Sequence, residues 1–499
     1  MPKICGLVNY KPSSIIVESF NGLACCDQSQ DKKRIVFSHL NTNGTFIGLS
    51  CQKDNITPYT IIYNNIKYTF VFDGELENSK ELLLSIKEEL GYSPAKENDY
   101  GAIATWAYIL WGGFSPQKLL GRFAYAIYSE AVFPSAVYSP KVFLARDRLG
   151  VKPLYFSYKN NDTILFSSSA ASIIDCMSEC PKLDRYGLWQ ILFMNSYSIE
   201  GKSAFKNIYE LQPGSCAFVD CRADGSFLVM QKRYFTLKHP KFYGNCIDLS
   251  LPCNTDFIED ENGYSKSIEN LEECVEITEA PYFVDNFSHL KKNSTFTYKK
   301  KTCSRIGSDV FEISDKNYIK SFFPWIADPY KNIEVFKREV AMANEGFNWL
   351  HEIFLKEREQ FKFDEDIATS ELRIKMCLNY FYDLPNQLKF NEKICDRFGL
   401  NISYPFTDLK IFEHFYSKMP NVFRSERIYK QNTNKNSEFE NELRDKLKKI
   451  FSNSEYRINY LIDRNKAENT LITESETDTL EMIYLIHIWL EKFNVEIDL

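Results

Sequence analysis

The sequence predicts an α+β chain with two domains, a strand-rich first half and a mainly helical second half. Before residue 238, short aromatic and β-branched runs recur, as is typical of buried strands. Residues 79–90 and 99–110 instead space their apolar side chains as helices do. Strands with a few interspersed helices favour two antiparallel sheets packed between helical layers, an αββα sandwich. After residue 263 the predicted elements are helices.

The predicted elements follow from local patterns along the chain. In the first half, strands are predicted at residues 4–10, 45–51, 68–73, 123–128, 141–145, 151–158 and 164–168, with a last hairpin of 215–219 and 227–235 after a Pro-Gly turn. In the second half, helices are predicted at residues 332–359, 366–382, 407–418, 436–452 and 476–492. Residues 239–262 are rich in turn formers and lack periodicity, so they predict a linker between domains 1–238 and 263–499.

The composition narrows the class of protein and of partner. With 44% apolar and 25% charged residues, the 499-residue chain has the composition of a soluble globular protein, and we expect it in the cytoplasm. Its net charge of −7 disfavours nucleic acid or an anionic membrane as partner. No apolar run approaches the roughly 20 residues that span a bilayer. The 14 cysteines are scattered and mostly lie in apolar settings, so reduced thiols are expected. Neither they nor the 6 histidines show the spacing of a zinc site, so no metal site of protein ligands is predicted.

One stretch organises the first half. Residues 144–156 read LARDRLGVKPLYF, and local structure alone interprets them as a tight β-meander with a charged corner at residues 147–150. The string also resembles the ARDxxGxxPLYY signature of the asparagine synthetase family, in its N-terminal glutaminase domain. The small-residue stretch at 166–170, reading FSSSA, continues the resemblance. It implies an Ntn-type αββα sandwich, the fold of a class II glutamine amidotransferase domain.

Cys5, followed by Gly6, is similar to the nucleophile of that family, whose mature chain begins with Cys-Gly. The resemblance implies that its free α-amine acts as the base, and that the thiolate attacks the side-chain amide of glutamine. Here residues 1–4 precede Cys5, so this base exists only if they are removed. The other interpretation is an ordinary buried cysteine of a strand.

Four further residues match positions that the family uses to bind glutamine. Asp73-Gly74-Glu75 resembles the family's NGE string, in which Asn and Gly donate to an oxyanion and Glu lies near the amino group of the substrate. Asp73 replaces the amide donor with a carboxylate, which would repel an oxyanion. Asp-Gly is also a hairpin-turn signal. Asp99 matches the family's ligand for the α-ammonium, and it is equally a plausible helix N-cap.

Other parts of the family's glutamine pocket are absent from the sequence. No RHRGPD-like string occurs between residues 20 and 45. No arginine occurs in the predicted strand 46–51, where the family places the ligand of the glutamine carboxylate. The frame of the glutaminase domain is therefore predicted with a partly dismantled pocket.

The second half lacks the loop that the family uses for ATP. No SGGxDS string occurs, although such a loop would bring backbone N–H groups to the phosphates. ATP and Mg are expected for the family, but with the loop missing no cofactor is assigned. Gly307 and Asp309 match a worn SGxGxDExFGG string and are interpreted as nucleotide-site remnants. This half is predicted to be a mainly α remnant of an α/β ATP-pyrophosphatase-like synthetase domain, and a lasso-peptide cyclase-like branch stays open.

Two hypotheses of function follow from the resemblance and its gaps. The first is an asparagine synthetase-like pseudoenzyme with degraded ATP-dependent amide-forming activity, kept as a partner or scaffold for another protein in a biosynthetic pathway. The alternative is a glutaminase that hydrolyses glutamine at Cys5 and supplies ammonia to a partner or to an asparagine synthetase-type amidation.

Overall fold

We describe a computed structural model of the chain. The structure describes residues 4–9, 35–40, 46–51, 59–132, 141–159, 163–177, 179–185, 187–188, 201–221, 227–235, 267–281, 295–297, 384–403, 437–471 and 477–497. These residues contain both sheets and helices, so the predicted mixed α+β class is confirmed.

The chain divides into two compact units. The first unit comprises residues 1–236, 385–392 and 490–499, and the second comprises residues 237–384 and 393–489. The predicted linker 239–262 lies outside the described residues, so the predicted domain bounds stay a prediction.

The strands of the first unit lie where aromatic and β-branched runs predicted most of them. They are β1 (Ile4–Asn9), β2 (Ile35–Leu40), β3 (Phe46–Cys51), β4 (Tyr59–Tyr63), β5 (Ile66–Leu76), β6 (Gly121–Ala131), β7 (Lys141–Arg146), β8 (Tyr155–Lys159), β9 (Thr163–Ser167), β10 (Tyr209–Glu210), β11 (Ser215–Cys221) and β12 (Phe227–Arg233). Its helices are α1 (Ser79–Leu90), α2 (Tyr100–Trp111), α3 (Ser115–Lys118) and α4 (Ala170–Asp175), and a 3₁₀ turn covers Gly112–Phe114. Strands β2, β4 and β10 were not predicted.

The strands form two antiparallel six-stranded sheets. Sheet A has the order β10-β8-β9-β1-β3-β2, and sheet B has the order β12-β11-β7-β6-β5-β4. One buried cluster joins residues from β1, β8 and β9 of sheet A to residues from β5, β6, β7 and β11 of sheet B. A second cluster joins the opposite face of sheet B to α1 and α2. The two clusters form the core of a sandwich.

The alternation of side chains along β6 explains these two clusters. Ala124, Ala126 and Tyr128 belong to the cluster between the sheets. Phe123 and Tyr125 belong to the cluster under the helices. Successive residues of a strand point to opposite faces, so one aromatic run supplies both cores. Both faces of β6 are therefore covered, which is why the run has almost no polar positions.

The described part of the second unit is mainly helical. It contains α5 (Ile268–Thr278), α7 (Ser437–Ser452), α8 (Arg464–Thr470), α9 (Thr477–Lys492) up to residue 489, a 3₁₀ turn at Arg457–Tyr460, and the parallel pair of β13 (Thr295–Thr297) with β14 (Asn401–Ser403). Helix α6 (Leu384–Phe398) precedes β14, and its residues 385–392 belong to the first unit.

Two of the predicted second-half helices are confirmed, at 436–452 and 476–492. The predictions at 332–359, 366–382 and 407–418 lie outside the described residues. Descent of this unit from a synthetase domain stays a prediction. Within the described ranges, no helix combines the length and apolarity that crossing a membrane requires.

Candidate functional site

The signature stretch forms a buried corner around Arg146, at the end of β7. The guanidinium donates to the carbonyl oxygens of Lys152 at 2.8 Å, Leu211 at 2.6 Å and Gly150 at 2.6 Å. Its Nη1 also donates to Glu210 Oε1 at 2.7 Å. Arg146 is 1% exposed, so these acceptors replace the water that it loses on folding. Arg146 therefore joins two segments, the turn at residues 150–152 and residues 210–211.

Asp147 closes the same corner through its carboxylate. The backbone N–H groups of Leu149 and Val151 donate to Oδ1 at 3.1 Å, and that of Lys152 donates to Oδ2 at 3.0 Å. Burial raises the pKa of Asp147, while these hydrogen bonds and the adjacent guanidinium oppose the rise. Gly150 has a φ of +62°, which favours glycine at this turn. The charged corner predicted at residues 147–150 is confirmed, but the β-meander interpretation is wrong, because β7 belongs to sheet B and β8 belongs to sheet A.

Glu210 is a buried carboxylate between two cations. Lys389 donates to its two oxygens at 3.0 and 2.8 Å, and Arg146 donates to Oε1. Burial alone would raise the pKa of Glu210, but the Lys389 ammonium and the Arg146 guanidinium outweigh it and hold the pKa at about 2. Glu210 thereby fixes segment 385–392 on the corner.

This depressed pKa predicts a pH dependence of stability. An unfolded glutamate has a pKa of about 4.3, so Glu210 should stabilise the fold above pH 4.3, and this contribution should be lost as the pH falls toward 2. In urea unfolding, the difference in free energy between wild type and Glu210→Gln should therefore shrink between pH 5 and pH 2.5. A difference that stays constant across this range would contradict the prediction.

Asp73, Gly74 and Glu75 lie inside β5, where they pair with Ala124, Phe123 and Arg122 of β6. The hairpin-turn interpretation of Asp73-Gly74 is therefore wrong, because strand pairing with a distant segment overrides the local turn signal. Gly74 has a φ of +127°. A Cβ there would lie 1.9 Å from the Arg122 carbonyl oxygen, so only glycine fits.

Lys152 links this strand to helix α6 through a line of alternating charges. Its Nζ lies 3.9 Å from Asp73 Oδ1 and donates to Glu392 Oε1. Arg122 continues the line, with Nη1 3.8 Å from Glu392 Oε2 and Nη2 3.5 Å from Glu75 Oε2. The side chains of Asp73, Lys152 and Glu392 are all less than 10% exposed, whereas Glu75 is 68% exposed. Asp73 thus faces a cation at the position where an oxyanion donor was expected.

Cys5 lies within sheet A, paired with Gly48 of β3 and Ser167 of β9. Ile4 before it is part of the same strand: its N–H donates to Ser168 Oγ at 3.4 Å, and its carbonyl accepts from Ser168 N–H at 3.0 Å. Cys5 is 1% exposed, and burial raises the pKa of its thiol to about 12. With Ile4 attached, Cys5 has an amide nitrogen and a protonated thiol at neutral pH.

Strand alternation separates the Cys5 side chain from the Asp73 carboxylate. Ile4 and Val8 belong to the core between the sheets, so Cys5 lies on the opposite face of β1. Val71 belongs to the same core, so Asp73, two residues later, lies on the face of β5 toward sheet A. Strands β1 and β5 contact each other, but these two side chains leave them on different sides of sheet A.

Asp99 is the N-cap of α2, and its Oδ1 accepts from Ala102 N–H at 3.3 Å. The capping interpretation therefore accounts for its side chain, and its part in substrate binding stays a prediction. Gly307 and Asp309 lie outside the described residues. Within the described ranges, no group of three or more His, Cys, Asp or Glu side chains could hold a metal ion.

Five charged residues of this region were not predicted as site residues from the sequence: Arg122, Lys152, Glu210, Lys389 and Glu392. Lys152 is part of the signature string, so a charge at a corner between two strands was a signal. Lys389 and Glu392 are spaced three apart on a helix, but nothing in the local sequence indicates their partners. Glu392 is 240 positions from Lys152.

One comparison with known proteins, a family model, matches a part of the first unit. A family model described as a glutamine amidotransferase domain matches residues 54–234. Asparagine synthetase [glutamine-hydrolyzing] 3 of Bacillus subtilis (strain 168) is 30% identical over 156 residues, which are 31% of this chain and 24% of that protein. The match thus spans about a quarter of the relative's length.

Two solved structures are similar at 13% sequence identity. One is the glutamine phosphoribosylpyrophosphate amidotransferase from B. subtilis complexed with ADP and GMP, with a TM-score of 0.30. The other is described as the allosteric regulatory enzyme of purine biosynthesis, with a TM-score of 0.31. Each covers 47% of this chain and 49% of the other chain.

The family model covers β4 to β12, including the signature corner and the Asp73-Gly74-Glu75 strand. The relative is named an asparagine synthetase, which is the family that residues 144–156 resemble. The first half of this chain therefore carries an asparagine synthetase-like glutamine amidotransferase domain.

Proposed function

We propose that this chain is an asparagine synthetase-like protein whose amidotransferase domain does not hydrolyse glutamine while residues 1–4 precede Cys5. Its role is that of a partner or scaffold for another protein that makes amide bonds in a biosynthetic pathway. The observation that carries the proposal is the placement of Cys5. The thiol is buried and protonated. The peptide bond with Ile4 makes the Cys5 nitrogen an amide instead of a free amine.

The chemistry of the nucleophile supports this proposal. Attack on a glutamine amide needs a thiolate or a base beside the thiol. Here burial disfavours the thiolate, and the nearest backbone nitrogen is an amide that cannot accept a proton. Asp73 also replaces the amide donor of the family's oxyanion string with a carboxylate, and its side chain lies on the other side of sheet A from the Cys5 thiol.

The sequence of the second half supports the proposal that the amide-forming activity of this chain is degraded. Activation of an acceptor carboxylate by ATP needs backbone donors around the phosphates and a cation to balance them. The full sequence contains no SGGxDS loop. We therefore assign the amide-forming step to the partner rather than to this chain.

A glutaminase is the second candidate, and the geometry at Gly74 favours it. Gly74 has a backbone conformation that no other residue fits. A domain that no longer used this strand to bind an oxyanion would not need to retain that conformation. Glu75, next to it, is 68% exposed and lies 3.5 Å from Arg122 Nη2, so a substrate amino group could reach it from solvent. Removal of residues 1–4 would supply the α-amine of Cys5 as the base.

One assay separates the two candidates. Three proteins are compared for glutamate release from L-glutamine: the full chain, its Cys5→Ala variant, and a form cut so that it begins at Cys5. We expect the full chain and Cys5→Ala to release glutamate at the same background rate. The form beginning at Cys5 should also remain at background, because the Cys5 thiol lies on the other side of sheet A from the Asp73 side chain, where the family has its amide donor.

The control is Cys5→Ser in the form that begins at residue 5. Release by the cut form that this variant abolishes would establish the glutaminase and overturn the proposal. The partner role has its own readout in the native host. Deletion of the gene should abolish the amide product, and the Cys5→Ala gene should restore it; failure of Cys5→Ala to restore the product would contradict a scaffold role.

A further inference from the structure

Three cations of the first unit lie over aromatic rings on one stretch of its surface. The basic–aromatic patch, as we call this stretch, consists of Trp111, Phe114, Lys118, Arg148, Lys232 and Phe235. Lys118 Nζ lies 4.6 Å from the centre of the Trp111 ring. Lys232 Nζ lies 4.8 Å from that of Phe114. Arg148 Cζ lies 5.0 Å from that of Phe235. Each cation is therefore held against an aromatic face.

Three segments of the first unit build this patch. Trp111 ends α2, Phe114 ends the 3₁₀ turn that follows, and Lys118 ends α3. Arg148, from the signature corner, joins the same segment, because its Nη2 donates to the Gln117 carbonyl oxygen at 3.0 Å. Lys232 comes from β12 and reaches the turn through its contact with the Phe114 ring. The patch is thus continuous from the corner to the edge of sheet B.

The cations of the patch have no carboxylate partner among the described residues. The contacts of Lys118, Arg148 and Lys232 there are with aromatic rings and one backbone carbonyl. Glu89 touches the patch by accepting a hydrogen bond from the Trp111 indole at 2.6 Å. The whole chain carries a net charge of −7, so the patch is a local reversal of sign. Charge complementarity therefore points to an acidic ligand.

The patch adjoins an exposed strand edge. Strand β12 ends the order of sheet B, and within the described ranges it pairs with β11 alone. Met230 and Lys232 are two residues apart on β12, so they share one face of the strand. Met230 is 45% exposed, and Phe114 beside Lys232 is 61% exposed. An edge strand with apolar side chains next to it accepts a further extended segment through its backbone groups.

We propose that the basic–aromatic patch and the edge of β12 bind an acidic, extended segment of a partner protein. The segment adds to β12 by backbone hydrogen bonds, its carboxylates pair with Lys118 and Lys232, and its apolar side chains cover Phe114 and Met230. The identity of the partner as an amide-forming protein rests on the scaffold role proposed above, whereas the surface itself does not. Cations beside aromatic rings also suit single-stranded nucleic acid, which the negative charge of the chain disfavours.

Fluorescence anisotropy of the full chain with three labelled probes tests this surface. The probes are a blocked peptide in which glutamate alternates with valine, the same peptide with lysine for glutamate, and single-stranded oligothymidylate. At low salt we expect the glutamate peptide to bind with a Kd of about 10–100 µM, and the other two to bind about tenfold more weakly or less. The double variant Lys118→Glu with Lys232→Glu should weaken binding of the glutamate peptide about tenfold.

The matched control is Lys96→Glu with Lys206→Glu, which makes the same change in net charge at exposed lysines outside the patch. Binding of the glutamate peptide should stay within about twofold of wild type. Equal weakening by the two double variants would overturn the proposal, and so would tighter binding of the lysine peptide or of oligothymidylate.

Strand addition has its own test, with glutamate peptides that carry N-methyl groups on alternate residues. Successive N–H groups of an extended segment point to opposite edges, so methylation of one alternate set should abolish binding and methylation of the other should not. Equal binding of the two methylated peptides would overturn addition to β12. Binding that depends on the patch, together with an amide product that survives deletion of the gene, would instead reject the scaffold role and keep the surface.

Discussion

Replacing Arg146 with methionine is expected to lower the free energy of unfolding of the first unit by about 5 kcal/mol. The guanidinium donates to three backbone carbonyls and to Glu210 from a fully buried position. Methionine replaces only the apolar stem of the side chain and donates nothing, so buried acceptors lose their partner and Glu210 keeps only Lys389 of its two cations. Urea unfolding monitored by fluorescence measures the change.

The control for Arg146 is two residues away. Arg148 carries the same charge, donates to the Gln117 carbonyl oxygen at 3.0 Å and lies over the Phe235 ring, but it is partly exposed. Arg148→Met should cost about 1 kcal/mol or less. Equal costs for the two variants would show that charge alone, rather than the buried fork of hydrogen bonds, stabilises the corner.

Replacing Gly74 with alanine is expected to cost about 3 kcal/mol or more. The new Cβ would lie 1.9 Å from the Arg122 carbonyl oxygen, so β5 and β6 would have to separate at that point. The φ of +127° is strained for any residue with a side chain. Exchange of the backbone amides of residues 73–76 with deuterium should accelerate together with the loss of stability.

Gly91 separates the collision from the backbone strain. It also has a positive φ, +79°, at the end of α1, but a Cβ there meets no atom within 4 Å. Gly91→Ala should therefore cost only about 1 kcal/mol, the penalty for a left-handed residue. A similar cost for both variants would mean that β5 and β6 adjust freely around Gly74.

Local patterns predicted the parts of the fold that local physics determines. The run RFAYAIY identified β6, and apolar spacing placed α1 at its observed bounds. Strand β4 was missed although a signal was present. Asn64 and Asn65 both have positive φ and join β4 to β5, and two asparagines between β-branched runs are a recognised hairpin signal.

The candidate site was predictable only in part, for a physical reason. The signature string led to the correct domain, but the predicted strand 68–73 ended at Asp73, whereas β5 continues through Gly74 and Glu75 to Leu76. The hairpin-turn interpretation of that strand failed because its partner is β6, about fifty residues later. The partners of Lys152 and Glu210 come from α6, and pairing over such separations leaves no periodic trace in a single sequence.

Residues 385–392 belong to the first unit although they follow most of the second unit along the chain. This limits which segments of the protein can be exchanged with those of a relative by recombination. A gene segment that ends near residue 236 carries Lys152 and Glu210 but leaves behind the helix that faces them. A chimaera that joined this segment to a relative's second half would bury two charges against unmatched side chains. Such a chimaera is therefore expected to be less stable than the parent chain unless the corner is changed with it.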